Sequence, residues 1–170
     1  MSAKPRLILG ALAVSVVGVS GMGRAAPLEA LQPMAFLAGH CWKGEFSDGK
    51  RTDEHCFVWL YEGKALRDTH TVRAAGQPDY VGETTYYWDS TAKRVEYVYI
   101  ENAGGVMRGT VDPTAAALVF PATQYVEGGQ AMTFRVRWTR LNDTSYEAWS
   151  EMQVKDGWTT MFRMTMKQSS

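Results

Sequence analysis

Short alternating segments separated by turn residues run through most of the chain, and they leave few folds open to it. Met132, Phe134, Val136 and Trp138 are interleaved with Thr133, Arg135 and Arg137. That period of two puts one face of a strand in a core and the other in water. Trp158, Phe162, Met164 and Met166 share one parity in the same way. The joints read "SDGK", "GQP", "DSTAK", "NAGG", "VEGGQ" and "KDG", where Gly, Asn, Asp and Pro supply turn conformations. Ten such segments with short connections and no crossover helix imply an antiparallel meander, and closure would remove its exposed edges. The pattern predicts an all-β fold, an antiparallel up-and-down β-barrel of 8–10 strands, with a two-sheet sandwich as the alternative. The one helix expected is short and lies in "PLEALQPMAFLAG", between Pro27 and Gly39.

The first 25 residues read differently. Lys4 and Arg6 precede an apolar run from Leu7 to Gly21, followed by "GMGRAAP". Basic, apolar and small-residue regions in that order form a secretory signal peptide, with Gly23 and Ala25 placed for a cut after Ala25. A membrane anchor is the alternative, but the run is glycine-broken and shorter than a typical span, so no stable anchor is expected. The division expected is a signal peptide over 1–25 and one barrel domain over 26–170, in a periplasmic or secreted protein. Removing the leader takes Lys4, Arg6 and Arg24 from 18 basic residues and nothing from 18 acidic ones, turning a neutral balance into −3. Nucleic acid and acidic membrane surfaces need a concentrated basic field, so neither is expected as a partner.

The stretch "HCWKGEFSDGKRTDEHC" holds both cysteines and two of the three histidines. His40, Cys41, His55 and Cys56 look at first like a metal quartet. A turn at Asp48-Gly49 instead pairs residues whose numbers sum to 97, so Cys41 opposes Cys56, Trp42 opposes His55 and His40 opposes Phe57. Neighbours on a strand point to opposite faces, which separates the cysteines from the histidines. Directly opposed cysteines in an exported chain predict a disulfide, with a loop-closure stabilisation of about 3 kcal/mol. A strict two-residue turn would make this a wide, hydrogen-bonded pair, and a four-residue loop a narrow one.

A second turn at Glu62-Gly63 gives pairs summing to 125, with His55 opposite His70, Phe57 opposite Asp68 and Trp59 opposite Leu66. The face carrying His40, Trp42, His55, Trp59, Asp68 and His70 is the more apolar and aromatic, and is assigned to the interior, with Asp53 beside it. A turn at Asp156-Gly157 would pair Trp149 with Met164 and Glu151 with Phe162. Glu151 on such a face is costly to bury without a partner. It is either a ligand contact or the sign of a bulge that shifts the register.

"FLAGHCWKGEF" resembles the opening of calycin-type barrels, where a short helix leads through a Gly-x-Trp-like turn into the first strand. "YYWDSTAKRVEYVYIENAGGVMRG" and "DEHCFVW" are similar to the middle and second strand of bacterial calycin-like (lipocalin- or nitrobindin-type) families of unknown function. The resemblance covers most of residues 35–120 and implies an eight- to ten-stranded barrel with an interior cavity. Relatives of that shape bind fatty acids, retinoids or haem, or have no assigned role.

Two function classes follow. One is a carrier or sensor for a small apolar or amphipathic molecule, lined by Trp42, His55, Trp59, His70, Trp149 and Met164, with Asp68 and Glu151 orienting a polar head. The other is an exported interaction or structural barrel whose interior is filled by its own side chains. No resident cofactor is expected. Minor alternatives are a zinc site built from His40, His55 and His70, or haem ligated by one interior histidine as in nitrobindin-like barrels. No Gly-x-Ser-x-Gly stretch occurs and the glycine-rich joints lack a strand-to-helix phosphate loop, so catalysis is not expected.

Overall fold

A computed structural model describes residues 26–169. The expected signal peptide lies outside the described residues. Ten strands follow in chain order: β1 (Cys41–Glu45), β2 (Arg51–Leu60), β3 (Ala65–Ala74), β4 (Tyr80–Asp89) and β5 (Arg94–Glu101) make the first half. β6 (Val106–Pro113), β7 (Ala117–Glu127), β8 (Gln130–Asn142), β9 (Ser145–Val154) and β10 (Gly157–Ser169) make the second. Each strand pairs antiparallel with the next, and β10 pairs with β1 to close the barrel. Closure leaves no unpaired edge, the benefit that a meander of amphipathic strands gains from curling on itself.

The expected helix is instead a 3-10 turn over Glu29–Met34. Pro33 lies inside it and lacks a backbone donor, which interrupts the hydrogen-bond ladder a regular helix needs. This segment plugs one end of the barrel. Leu31, Met34 and Leu37 are fully buried there with Trp42, Leu66 and Tyr146. The Trp42 indole N–H donates to the Leu37 carbonyl at 3.1 Å, fixing the plug to the first strand. Leu28 N–H donates to the Gly63 carbonyl and ties the plug to the β2–β3 connection.

The first two hairpins have the expected register. Cys41 pairs with Cys56 and Trp42 with His55, while His55 pairs with His70, Phe57 with Asp68 and Trp59 with Leu66. The Phe46 amide donates to the Arg51 carbonyl, closing a four-residue loop over residues 47–50. Residues 41 and 56 then form the narrow, non-hydrogen-bonded kind of pair, with Cα atoms 4.0 Å apart, and the disulfide bridges them.

The last hairpin departs from expectation. The turn falls at residues 155–156, so Gly157 pairs with Val154 and Thr160 with Glu151. A bulge between Thr160 and Phe162 shifts the register again, placing Met164 opposite Ala148 and Arg163 opposite Trp149. The extra residue reverses which face each parity occupies. Trp158 is therefore outside, with the Arg135 guanidinium 4.3 Å over its ring, while Phe162, Met164 and Met166 pack on the core side.

Candidate functional site

The interior is not filled. Above the plug lies a cavity of about 660 Å³, running up to exposed rim residues that include Arg51, Gln77 and Pro78. Its wall is largely aromatic, with Phe120 and Trp138 deep and Tyr80, Tyr125, Phe134 and Phe162 higher up. Alternation explains this lining: on β8, Phe134, Val136 and Trp138 face in while Arg135 and Arg137 face out.

One side of the cavity is polar, and it is built by β2 and β3. The His55 Nδ1 atom lies 2.8 Å from Asp68 Oδ2 and its Nε2 atom 3.2 Å from Asp53 Oδ2. Asp53 is 5 % and Asp68 2 % exposed. Burial alone would push the His55 pKa down, but the Asp68 and Asp53 carboxylates outweigh it and raise it to about 10. His55 is therefore an imidazolium at neutral pH, donating from both nitrogens. Burial would raise the Asp53 pKa in turn, but the charges and hydrogen bonds of His55 and His70 hold it well below the usual carboxylate range.

His70 is next in the network. Its ring centroid is 4.8 Å from that of His55, and its Nδ1 faces Asp53 Oδ1 at 3.4 Å. Its Nε2 meets the Tyr99 hydroxyl at 3.0 Å, and Tyr99 in turn meets the Tyr80 hydroxyl at 2.6 Å. Burial raises the pKa of both phenols, so each keeps its proton and can either donate or accept in this chain. Gly82, opposite His70 on β4, makes this contact sterically feasible. A Cβ there would lie 2.5 Å from the Tyr99 ring and 2.7 Å from His70 Nε2.

A second polar group sits at the β5–β6 end. Glu101 is buried and accepts from the amides of Ala103 and Gly105 and from the Tyr125 hydroxyl. Burial alone would raise its pKa, but these donors lower it.

The candidates chosen from sequence divide into three groups. His55 and His70 line the cavity, and Asp68 stands directly behind His55. Trp42, Trp59 and Met164 belong to the packed core outside the cavity lining, with Trp42 and Met164 buried and Trp59 partly so. Trp149 and Glu151 do not face the interior, a correction that follows from the turn and bulge of the last hairpin. Glu151 pairs with Arg135 at 2.6 Å, and Arg163 lies 5.7 Å over the Trp149 ring, both on the outer wall. His40 is likewise corrected: it precedes β1, is exposed, and its Nδ1 lies beside the Gln168 amide. A cluster of His40, His55 and His70 does not form; Asp53 takes the third place beside His55 and His70.

Asp53 and Asp68 were legible as inward neighbours of the histidines from register alone. Tyr80, Tyr99 and Trp138 were not, because they come from strands whose register was not worked out from turns. Haem ligation needs an imidazole nitrogen presented to the cavity. Both His55 nitrogens and His70 Nε2 are hydrogen-bonded, and His70 Nδ1 faces the Asp53 carboxylate, so an iron or other metal that takes a nitrogen on this wall must displace a contact to Asp53.

Models of known protein families give no match to this chain, and neither do curated proteins.

Proposed function

We propose that this protein is an exported binding barrel that holds a small amphipathic molecule in its interior. The observation that carries the reading is the aromatic cavity of about 660 Å³ with one ionic wall. Its volume falls in the range of small-molecule sites, which are concave and mostly apolar with a few convergent polar groups. The apolar part of the ligand lies against Phe120, Phe134 and Trp138, and its polar head reaches the His55–His70 wall. Export is supported by the leader-like first 25 residues and by the Cys41–Cys56 disulfide, which an oxidising compartment preserves. The architecture is compatible with the calycin-like resemblance, and we place the chain among such barrels on that basis. The oxidised protein is titrated with a fluorescent fatty-acid analogue and its affinity compared with that of Ser150→Trp, which projects an indole into the cavity from β9. The wild type binds with an emission increase and the variant loses at least about 10-fold in affinity, roughly 1.4 kcal/mol. Equal probe binding by both proteins would refute occupation of the interior.

A further inference from the structure

The polar wall also has the donor set of a metal site, a property independent of what fills the rest of the cavity. One carboxylate and two imidazoles, from Asp53, His55 and His70, each bring a ligand atom within 4.8 Å of the others. Tetrahedral zinc with nitrogen and oxygen ligands at about 2.0–2.1 Å holds those atoms about 3.3 Å apart. Two contacts already have about that length, each to a different oxygen of the one carboxylate: His55 Nε2 to Asp53 Oδ2 is 3.2 Å, and His70 Nδ1 to Asp53 Oδ1 is 3.4 Å.

Two independent features point the same way. Asp53 Oδ1 and His70 Nδ1 are buried without a hydrogen-bond partner and face each other at 3.4 Å across this cluster. Buried polar atoms carry a cost of about 1–3 kcal/mol when unpartnered, which a bound cation removes. The outward nitrogens are also held as a metal-ligating histidine requires: Asp68 accepts from His55 Nδ1, and the Tyr99 hydroxyl meets His70 Nε2. A carboxylate behind one imidazole and a phenol behind the other fix ring orientation and leave the facing nitrogens for the ion.

We infer that Asp53, His55 and His70 form a binding site for one divalent transition-metal ion of the zinc type, with Asp68 and Tyr99 as its supporting shell. On binding, the ion takes the lone pairs of His55 Nε2 and His70 Nδ1: the His55 Nε2 proton passes to solvent, and His70 keeps one proton, on Nε2, donated to the Tyr99 oxygen. Three protein ligands leave a fourth position directed into the cavity, where an oxygen or nitrogen of a bound molecule can coordinate.

The test uses the oxidised protein, stripped with chelator, dialysed and titrated with Zn²⁺ by calorimetry, with Co²⁺ as a spectroscopic substitute. One equivalent of Zn²⁺ binds, and Co²⁺ gives visible absorption of tetrahedral or five-coordinate intensity. His70→Ala and Asp53→Asn abolish both signals. Asp68→Asn weakens binding by about 10–100-fold, and His40→Ala leaves it unchanged. Circular dichroism establishes that each variant is folded; if a ligand variant unfolds, the Co²⁺ spectrum of the wild type with the Asp68→Asn affinity decides. Absence of stoichiometric uptake by the wild type, or uptake that His40→Ala removes and His70→Ala does not, overturns the inference. Binding of the fatty-acid analogue to stripped protein is read separately, so loss of one property leaves the other measurable.

Discussion

Replacing Asp68 by Asn keeps the size and hydrogen-bonding reach of the side chain but removes one of the two charges that hold His55 protonated. Asp68 Oδ2 is 2.8 Å from His55 Nδ1, and Asp68 is 2 % exposed. Charge centres about 4 Å apart at an effective dielectric of about 20 attract by about 4 kcal/mol, equivalent to roughly three pKa units. Burial of the imidazole adds to the loss, so in Asp68→Asn the His55 pKa falls well below its wild-type value of about 10. The stability consequence has a definite sign. A histidine whose folded pKa exceeds its ordinary value of 6.5 contributes stability fully below that value, and loses it as pH rises through the folded pKa of about 10. The variant is therefore less stable than wild type by about 2–4 kcal/mol at pH 6, and the gap narrows between pH 8 and 10. Imidazole ¹⁵N shifts recorded across pH on chelator-treated protein give the pKa, and urea unfolding at pH 6, 8 and 10 gives the stability. A wild-type His55 titrating near 6.5, or a stability gap independent of pH, would refute the ionic reading of the triad.

Further outcomes follow from the same geometry. Changing both Cys41 and Cys56 to Ser opens a loop spanning 15 residues and lowers unfolding free energy by about 3 kcal/mol, read from urea unfolding with the slope fitted separately because the uncrosslinked unfolded chain exposes more surface. Gly82→Ala forces a methyl against Tyr99 and His70, lowers the melting temperature, and shifts the His70 imidazole resonances; an unchanged spectrum would show that the β4 backbone yields instead. Glu151→Gln breaks only an outer ion pair with a half-exposed Arg135, so it costs under about 1 kcal/mol and leaves probe affinity at its wild-type value. Loss of probe binding in that variant would mean that Glu151 reaches the interior after all.

Much of the site was readable because two turns carry their register in their residues. Asp-Gly at 48–49 and Glu-Gly at 62–63 fix which residues of β1, β2 and β3 oppose each other, and side-chain alternation then assigns faces without further information. The disulfide, the inward histidines with their neighbouring aspartates, and the all-β meander all follow from local rules of that kind. The last hairpin shows where such rules stop. "KDGW" admits more than one two-residue turn, and a bulge at Thr160–Phe162 depends on how β10 curves to meet β1 across the closed barrel. That curvature moved Trp149, Glu151 and Trp158 outside. His40 shows the same limit: its carbonyl accepts from the Phe57 amide at 3.0 Å as the register requires, yet its side chain is exposed beside Gln168 and not in the interior. The sequence by itself determined the faces of the first three strands, because turn chemistry and the two-residue period act over a few residues. Only the tertiary structure decided that the interior holds a cavity, that Tyr80 and Tyr99 complete its polar wall, and that Trp138 belongs to its apolar one. Those contacts join residues far apart in the chain, and no local preference encodes the diameter of the closed sheet.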